Sequence, residues 1–172
     1  KVLTSDANGL ATWETPSGGS TVWSLTGNTL SGTEYLGSTN DQPVVIRTNN
    51  TDRFRFTTKG QIEVLNSAQS VFLGEGAGAN QDNSSNRWNT FVGYNTGYSN
   101  TIGDFNTATG FEALYSNTIG EYNTATGYQA LNSNTWGSNN TATGYQALNS
   151  NYTGYDNTAT GYQALNSNTT GG

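Results

Sequence analysis

Asn123 to Leu131 reads NTATGYQAL, and the same nine residues return at Asn140 and at Asn157. The copies therefore start at a constant spacing of 17, and looser versions at that spacing lie at Asn106 (NTATGFEAL) and Asn89 (NTFVGYNTG). One unit further back, SVFLGEGAG begins at Ser70, so the step from Ser70 to Asn89 is longer than the others by two. A short fixed period is the signature of stacked units, each too small to bury a core alone. Every unit has a Gly after its central triplet (Gly74, Gly93, Gly110, Gly127, Gly144, Gly161), and most have another near the next corner (Gly103, Gly120, Gly137, Gly154). So much Gly, Asn and Thr disfavours helix, whereas Thr, Tyr, Val and Phe suit strands and Asn and Ser suit corners. The expectation is an all-β chain. In it, residues 67–172 form a parallel β-solenoid or β-roll of about 17 residues per turn, and residues 1–66 form a short-stranded β region before it.

Strand alternation within NTATG puts Ala125 on one face and Thr124 and Thr126 on the other. The inward slot holds Phe72 and Phe91 in the first two units, then Ala108, Ala125, Ala142 and Ala159. Large plugs followed by alanines describe a narrow interior closed at one end. Leu114, Leu131, Leu148 and Leu165 make a second apolar row, and Phe111, Tyr128, Tyr145 and Tyr162 a third. Identical Asn in successive turns can bond up and down the stack as ladders. At about 4.8 Å per turn, five or six turns make a rod only about 25–29 Å long. Area burial at about 25 cal/mol per Å² against about 1.5 kcal/mol of entropy per ordered residue leaves so small a coil marginal alone. Sharing the Leu or Tyr row among chains relieves that deficit, so a homo-oligomer is expected; three chains, a homotrimer, are the expected number, although the spacing alone does not fix it.

Upstream, Lys1–Glu14 reads as strand, turn at Asp6-Ala7-Asn8-Gly9, strand. Pro16–Ser20 reads as a flexible break, and Thr21–Leu30 alternates again. QPVVIR (Gln42–Arg47), RFRFTT (Arg53–Thr58) and QIEVL (Gln61–Leu65) read as strands, with Phe54 and Phe56 facing inward and Arg53 and Arg55 in water. This region could be a separate knob or the start of a shaft.

Composition limits the chemistry. Hydrophobic residues are 32% and charged residues 10% of the 172, below the roughly 45–50% and 25% usual in globular domains. Such polarity invites disorder, but the strict register and 12% aromatic content oppose it. With Cys 0 and His 0, neither disulfides nor thiolate or imidazole metal sites are available. The net charge is −6, and residues 88–172 hold Asp104, Glu112, Glu121 and Asp156 without a single base. Phosphate binding needs clustered Lys and Arg, so nucleic acid is not an expected partner. No apolar run approaches the roughly 20 residues of a membrane span, so no membrane insertion by this segment is expected. The chain opens on Lys1 without Met or signal peptide, as a fragment or a processed product would.

The runs NTATGYQALNSNTTG and NTATGFEALYSNTIG resemble repeats of large bacterial surface proteins and phage-type tail fibres. The Gly-punctuated units also resemble the heads of YadA-type trimeric adhesins, left-handed parallel β-rolls built by three chains. KVLTSDANGLATWE and LGSTNDQPVVIRTNNTDRFRFTTKGQIEVL resemble segments that precede such repeats, so the likeness covers nearly the whole chain. It implies a trimeric extracellular fibre or adhesin, on a cell surface or a virion tail, that mediates attachment.

Catalysis has little to work with. Without His or Cys, only carboxylates, Lys and hydroxyls remain. Glu112 and Glu121 could mimic a glycosidase pair, but Glu112 sits where later turns have Gln129, Gln146 and Gln163, a solvent-facing variation. No enzyme activity and no cofactor are expected. For metal, Asp82, Asp104 and Asp156 lie near corners without a calcium-loop pattern. Arg53 and Arg55 could bind an anion, or pair with Asp52 or Glu63 on a solvated face.

Corner aromatics that differ between turns, Trp88, Trp136, Tyr152 and Tyr155, suit either a surface glycan or another host-surface receptor through stacking, or packing against a neighbouring turn or chain. Thr107/Thr109, Thr124/Thr126, Thr141/Thr143 and Thr158/Thr160 form two outward rows that resemble the T-x-T arrays of ice-binding solenoids, or are simply good outward strand residues. Purely structural use, as a shaft, spacer or filament subunit, is a further alternative, because length is tuned by adding turns.

Overall fold

The computed structural model describes the strands Val2–Ser5 and Ala11–Glu14 and residues 41–172. The chain divides into two compact units, Lys1–Gly37 and Ser38–Gly172. In the first, β1 (Val2–Ser5) pairs antiparallel with β2 (Ala11–Glu14), Val2 opposite Glu14 and Ser5 opposite Ala11. The expected Asp6–Gly9 turn, the Pro16–Ser20 break and the Thr21–Leu30 alternation lie outside the described residues.

The second unit begins with an antiparallel sheet of β3 (Val44–Thr48), β4 (Thr51–Phe56) and β5 (Ile62–Val64), in that order. Asn49 and Asn50 turn β3 into β4 with φ of 49° and 54°, left-handed values that asparagine tolerates. A register shift between Ile46 and Arg47 accompanies the turn. The expected faces are not those observed. Phe54 is half-buried, but Phe56 is exposed and Arg55 is half-buried. Phe56 is flanked in the sheet by Val44 and Ile62 and still keeps an open face, and Arg55 lies opposite Glu63, where an ion pair holds it against the sheet.

From Val71 onward the chain is a parallel β-solenoid of about five turns. Each turn supplies one three-residue strand: β6 (Val71–Leu73), β7 (Thr90–Val92), β8 (Thr107–Thr109), β9 (Thr124–Thr126), β10 (Thr141–Thr143) and β11 (Thr158–Thr160). They stack in sequence order, each residue opposite its counterpart one repeat on, with the longer step falling between β6 and β7. Pairing does not stop where the strands do. Leu114 N donates to Ala130 O (2.9 Å), Ser116 N to Asn132 O (2.9 Å) and Gly127 N to Thr109 O (2.9 Å), so turns are bonded around most of the coil. No helix occurs among the described residues.

The interior has an apolar half and an amide half. The apolar half is Phe91, Ala108, Ala125, Ala142 and Ala159 with Leu114, Leu131 and Leu148 and the alanines 113, 130 and 147, and Phe72 packs partly buried at its start. Leu165, in the last turn, is 52% exposed where its counterparts are fully buried. The Leu row is therefore covered within one chain, without a partner. The third apolar row is not core at all, for Phe111, Tyr128, Tyr145 and Tyr162 lie on the surface.

The amide half consists of two buried asparagine columns, where composition alone suggests corners. In one, the backbone N of Asn106, Asn123 and Asn140 donates to Oδ1 of the Asn one turn earlier (2.7, 2.9 and 3.0 Å). In the other, Nδ2 of Asn117, Asn134 and Asn151 donates to the previous Asn Oδ1 (2.7, 2.8 and 3.0 Å). Both columns also donate to the same glycine carbonyls. Gly137 O, for example, accepts from Asn123 Nδ2 at 2.8 Å and from Asn134 Nδ2 at 2.9 Å. Buried polar groups are tolerated only when satisfied, and a repeat satisfies them by letting each turn complete the one before.

Leu114, Leu131 and Leu148 have φ of 55°, 51° and 49°. That left-handed conformation costs roughly 1–2 kcal/mol for a residue with a Cβ. Burying a leucine side chain contributes about 1.5–3 kcal/mol, so burial wins and the leucines stay. In the first two turns the same place is taken by Gly78 and Gly97. There the rings of Phe72 and Phe91 fill the volume that leucine fills later.

Candidate functional site

The solenoid presents its outward residues as columns parallel to its axis, and these are the candidate surfaces. The threonine face comes directly from the strand register: Thr107, Thr124, Thr141 and Thr158 form one row, and Thr109, Thr126, Thr143 and Thr160 the other. All are exposed except Thr141, which is half-buried. Hydroxyls and methyls repeat at about 4.8 Å along the axis and at about 6.4–6.8 Å across each triplet. The first two turns break the pattern, with Val71 and Leu73, then Thr90 and Val92.

Beside the strand, after the bend glycine, Tyr94, Phe111, Tyr128, Tyr145 and Tyr162 stack in one column with centroid separations of 5.3, 5.1, 5.1 and 5.1 Å. Trp88, Phe105 and Tyr122 form a second column at 4.9 Å per step, and Tyr98 and Tyr115 a pair at 5.3 Å. Adjacent rings cover each other's faces and leave edges and hydroxyls to solvent. Flat stacking of a sugar on an aromatic face therefore has room only where a ring face stays uncovered.

The corner aromatics separate accordingly. Trp88 is a column member whose Nε1 donates to Gln69 Oε1 (3.0 Å). Trp136 and Tyr152 meet at 6.4 Å with a 37° tilt, so the structure brings these two together. Tyr155 is exposed. At the Trp136 position the two preceding turns carry Ile102 and Ile119, and the three side chains are 44 to 59% exposed. One corner of three consecutive turns is thus an apolar stripe, a feature that sequence reasoning missed. The signal is present in the constant spacing of positions 102, 119 and 136.

Three of these carboxylates, those of Glu112, Asp82 and Asp104, are engaged in structure. Gln129 Nε2 donates to Glu112 Oε2 (2.9 Å), and Gln146 and Gln163 continue that ladder at 3.0 and 3.1 Å. Glu112 is half-buried in an amide row rather than simply solvated, while Glu121 is exposed and its backbone N donates to Ser138 Oγ (3.0 Å). Asp82 and Asp104 share Arg87, at 3.2 and 3.3 Å. Hydrogen bonds from the Ser84 hydroxyl and then the Ser84 backbone, with a smaller contribution from Arg87, hold the Asp82 carboxyl below its ordinary value of 3.8. The exposed Asp156 stands apart, its N donating to Ser138 O. Among the described residues no three metal-ligating side chains cluster.

Arg55 Nε lies 3.0 Å from Glu63 Oε2, close enough for an ion pair although not aligned as a hydrogen bond. Arg53 Nε donates to Thr48 Oγ1 (2.9 Å), and Asp52 pairs with Arg47 instead.

No protein-family model, curated protein or solved structure matches this chain. Among the described residues no helix is long and apolar enough to cross a membrane.

Proposed function

We propose that this chain is a non-enzymatic segment of a trimeric extracellular fibre or adhesin, in which the solenoid is the shaft and its corners carry attachment. The observation that carries the reading is the Ile102–Ile119–Trp136 stripe. Contiguous exposed apolar surface marks a contact site. Three chains set parallel about a common axis place each of these side chains level with its own copies, so one row is complementary to itself under cyclic symmetry. The Tyr column has less to gain from a partner, because its rings already cover one another. Receptor contact then falls to aromatics away from the seam, Trp88 and Tyr155, with a surface glycan as the ligand class. Carboxylates held in ladders and ion pairs agree with a structural role, and a shaft alone needs no more than this.

Light scattering tests the assembly. A native mass near three times 18.2 kDa, falling to one chain in Ile119→Lys, supports the reading. A stable 18.2 kDa wild-type monomer sinks the trimer. A glycan array on which Trp88→Ala and Tyr155→Ala bind like wild type removes the attachment role from those residues and leaves a shaft.

The in-register threonine rows favour a second reading, ice binding, in which regularly spaced hydroxyls and methyls order water. Its measure is inhibition of ice recrystallisation, lost in Thr126→Lys and Thr143→Lys. No inhibition by the wild-type chain ends that reading.

A further inference from the structure

The tyrosines are not equivalent in their neighbours. Tyr128, Tyr145 and Tyr162 stand in one column, parallel to within 8°, with centroids 5.1 Å apart, and Tyr98 and Tyr115 form a separate pair at 5.3 Å and 7°. Tyr94 and Tyr122 have phenylalanine as their stacking neighbours, and Tyr152 has Trp136. Tyr155 stands exposed at its corner, apart from these columns. Tyr128 and Tyr145 are each 42% exposed and Tyr162 is 74% exposed, so solvent oxidants reach the column. In-register strands hold equivalent side chains at the same height and pointing the same way. The ring carbons next to each hydroxyl are therefore about one stacking step from their counterparts, and coupling follows once the two rings rotate out of the stack about χ1 and χ2.

We propose that Tyr128, Tyr145 and Tyr162 are a modification site, at which a peroxidase-type oxidant welds adjacent turns through dityrosine. Hydrogen peroxide, acting through a haem peroxidase, takes one electron and one phenolic proton from each of two tyrosines. The two radicals form one carbon–carbon bond between the positions ortho to their oxygens. Each ring then moves the hydrogen of its bonded carbon to its oxygen and regains aromaticity. Overall the chain loses two hydrogen atoms, and one peroxide becomes two waters. Each bond closes a loop one repeat long, the constraint that disulfides supply elsewhere and that a chain with Cys 0 lacks. Tyr98–Tyr115 is a lesser site, because both rings are half-buried.

The experiment treats the full chain with haem peroxidase and hydrogen peroxide, and reads dityrosine fluorescence, intact mass and a denaturing gel. The expected result is a loss of two hydrogens per bond within a single-chain band, and a urea midpoint shifted upward. Tyr145→Phe keeps the ring stack but removes the phenol common to both column pairs, so dityrosine falls at least twofold. Tyr145→Phe with Tyr115→Phe breaks every stacked tyrosine pair among the described residues and removes most of it, while Tyr152→Phe and Tyr155→Phe leave it unchanged. After unfolding in urea the dependence on Tyr145 disappears. Yields in the Tyr145→Phe/Tyr115→Phe protein equal to wild type, crosslinks mainly between chains, or no dityrosine in the wild-type protein would each overturn the proposal.

Discussion

The ring of Phe91 lies over Gly97, where a Cβ on the glycine would stand only 2.5 Å from Phe91 Cε2. Six residues separate the two, and six residues also separate Ala125 from Leu131, which occupy the corresponding places two turns later. The interior is filled either by Phe with Gly or by Ala with Leu. Ala125→Phe alone overpacks the core, at about 1–3 kcal/mol. Leu131→Gly alone empties it, at about 2–5 kcal/mol. The double variant Ala125→Phe/Leu131→Gly is expected to lie closer to wild type than the worse single variant, as read from urea midpoints. A double variant at the sum of the two losses would show that the exchange is not a volume trade.

Asn123→Ala leaves the buried backbone N–H of Asn140 without its acceptor and takes one of two donors from Gly137 O. The expected loss is about 1–3 kcal/mol for the orphaned donor. The exposed Thr124→Val, one residue away, should stay within about 0.5 kcal/mol. Equal effects at the two sites would mean the amide column is decorative.

Gly127 and Gly161 separate two costs that usually arrive together. Both have left-handed φ, 130° and 124°. A Cβ on Gly127 would overlap the carbonyl of Gly144 in the next turn, whereas one on Gly161 meets nothing within 4 Å. Gly161→Ala should cost only backbone strain, about 1–3 kcal/mol. Gly127→Ala should cost clearly more, because two turns must move apart as well. Thermal melts of the two variants check the order, and the reverse order would contradict the close stacking at this bend.

Asp82 carries the one pH dependence resolved among the described residues. Its pKa is depressed in the folded chain, so its contribution is present above the ordinary value of 3.8 and is lost as the pH falls below it. Limited proteolysis of the 82–87 loop is expected to accelerate in strong acid, relative to neutral pH, more in wild type than in Asp82→Asn. Identical profiles would remove Asp82 from the account.

Much of the fold is legible in the sequence because the repeat imposes one geometry many times. The TAT triplets, their one-in-two-out alternation and the constant register all follow from reading one unit against the next. Three things are not legible. Composition assigns the Asn residues to corners and the repeat suggests ladders, yet the columns through Asn123 and Asn134 are buried while Asn132 and Asn149, equally regular, are only half-buried; the polar core exists only because neighbouring turns complete it. The Tyr row looks like core because an aromatic at a fixed offset usually is. Here it offsets its exposure by self-stacking. Alternation alone places Phe56 inward, and alternation cannot report whether anything packs on the face to which a side chain points. Among the site residues, the threonine rows follow from the register, whereas the Ile102–Ile119–Trp136 stripe emerges only when corners are compared across turns. The exchange of Phe with Gly against Ala with Leu is visible in the aligned turns once positions six apart are read together.

The amide columns and backbone bonds make the hold of one TAT turn on the next nearly the same. Under a pulling force such a stack gives way turn by turn. Each freed turn lengthens the tether by roughly 50–55 Å, its extended length less one stacking step. The force trace is then a train of similar teeth, and an added repeat adds one tooth without raising the height of the others.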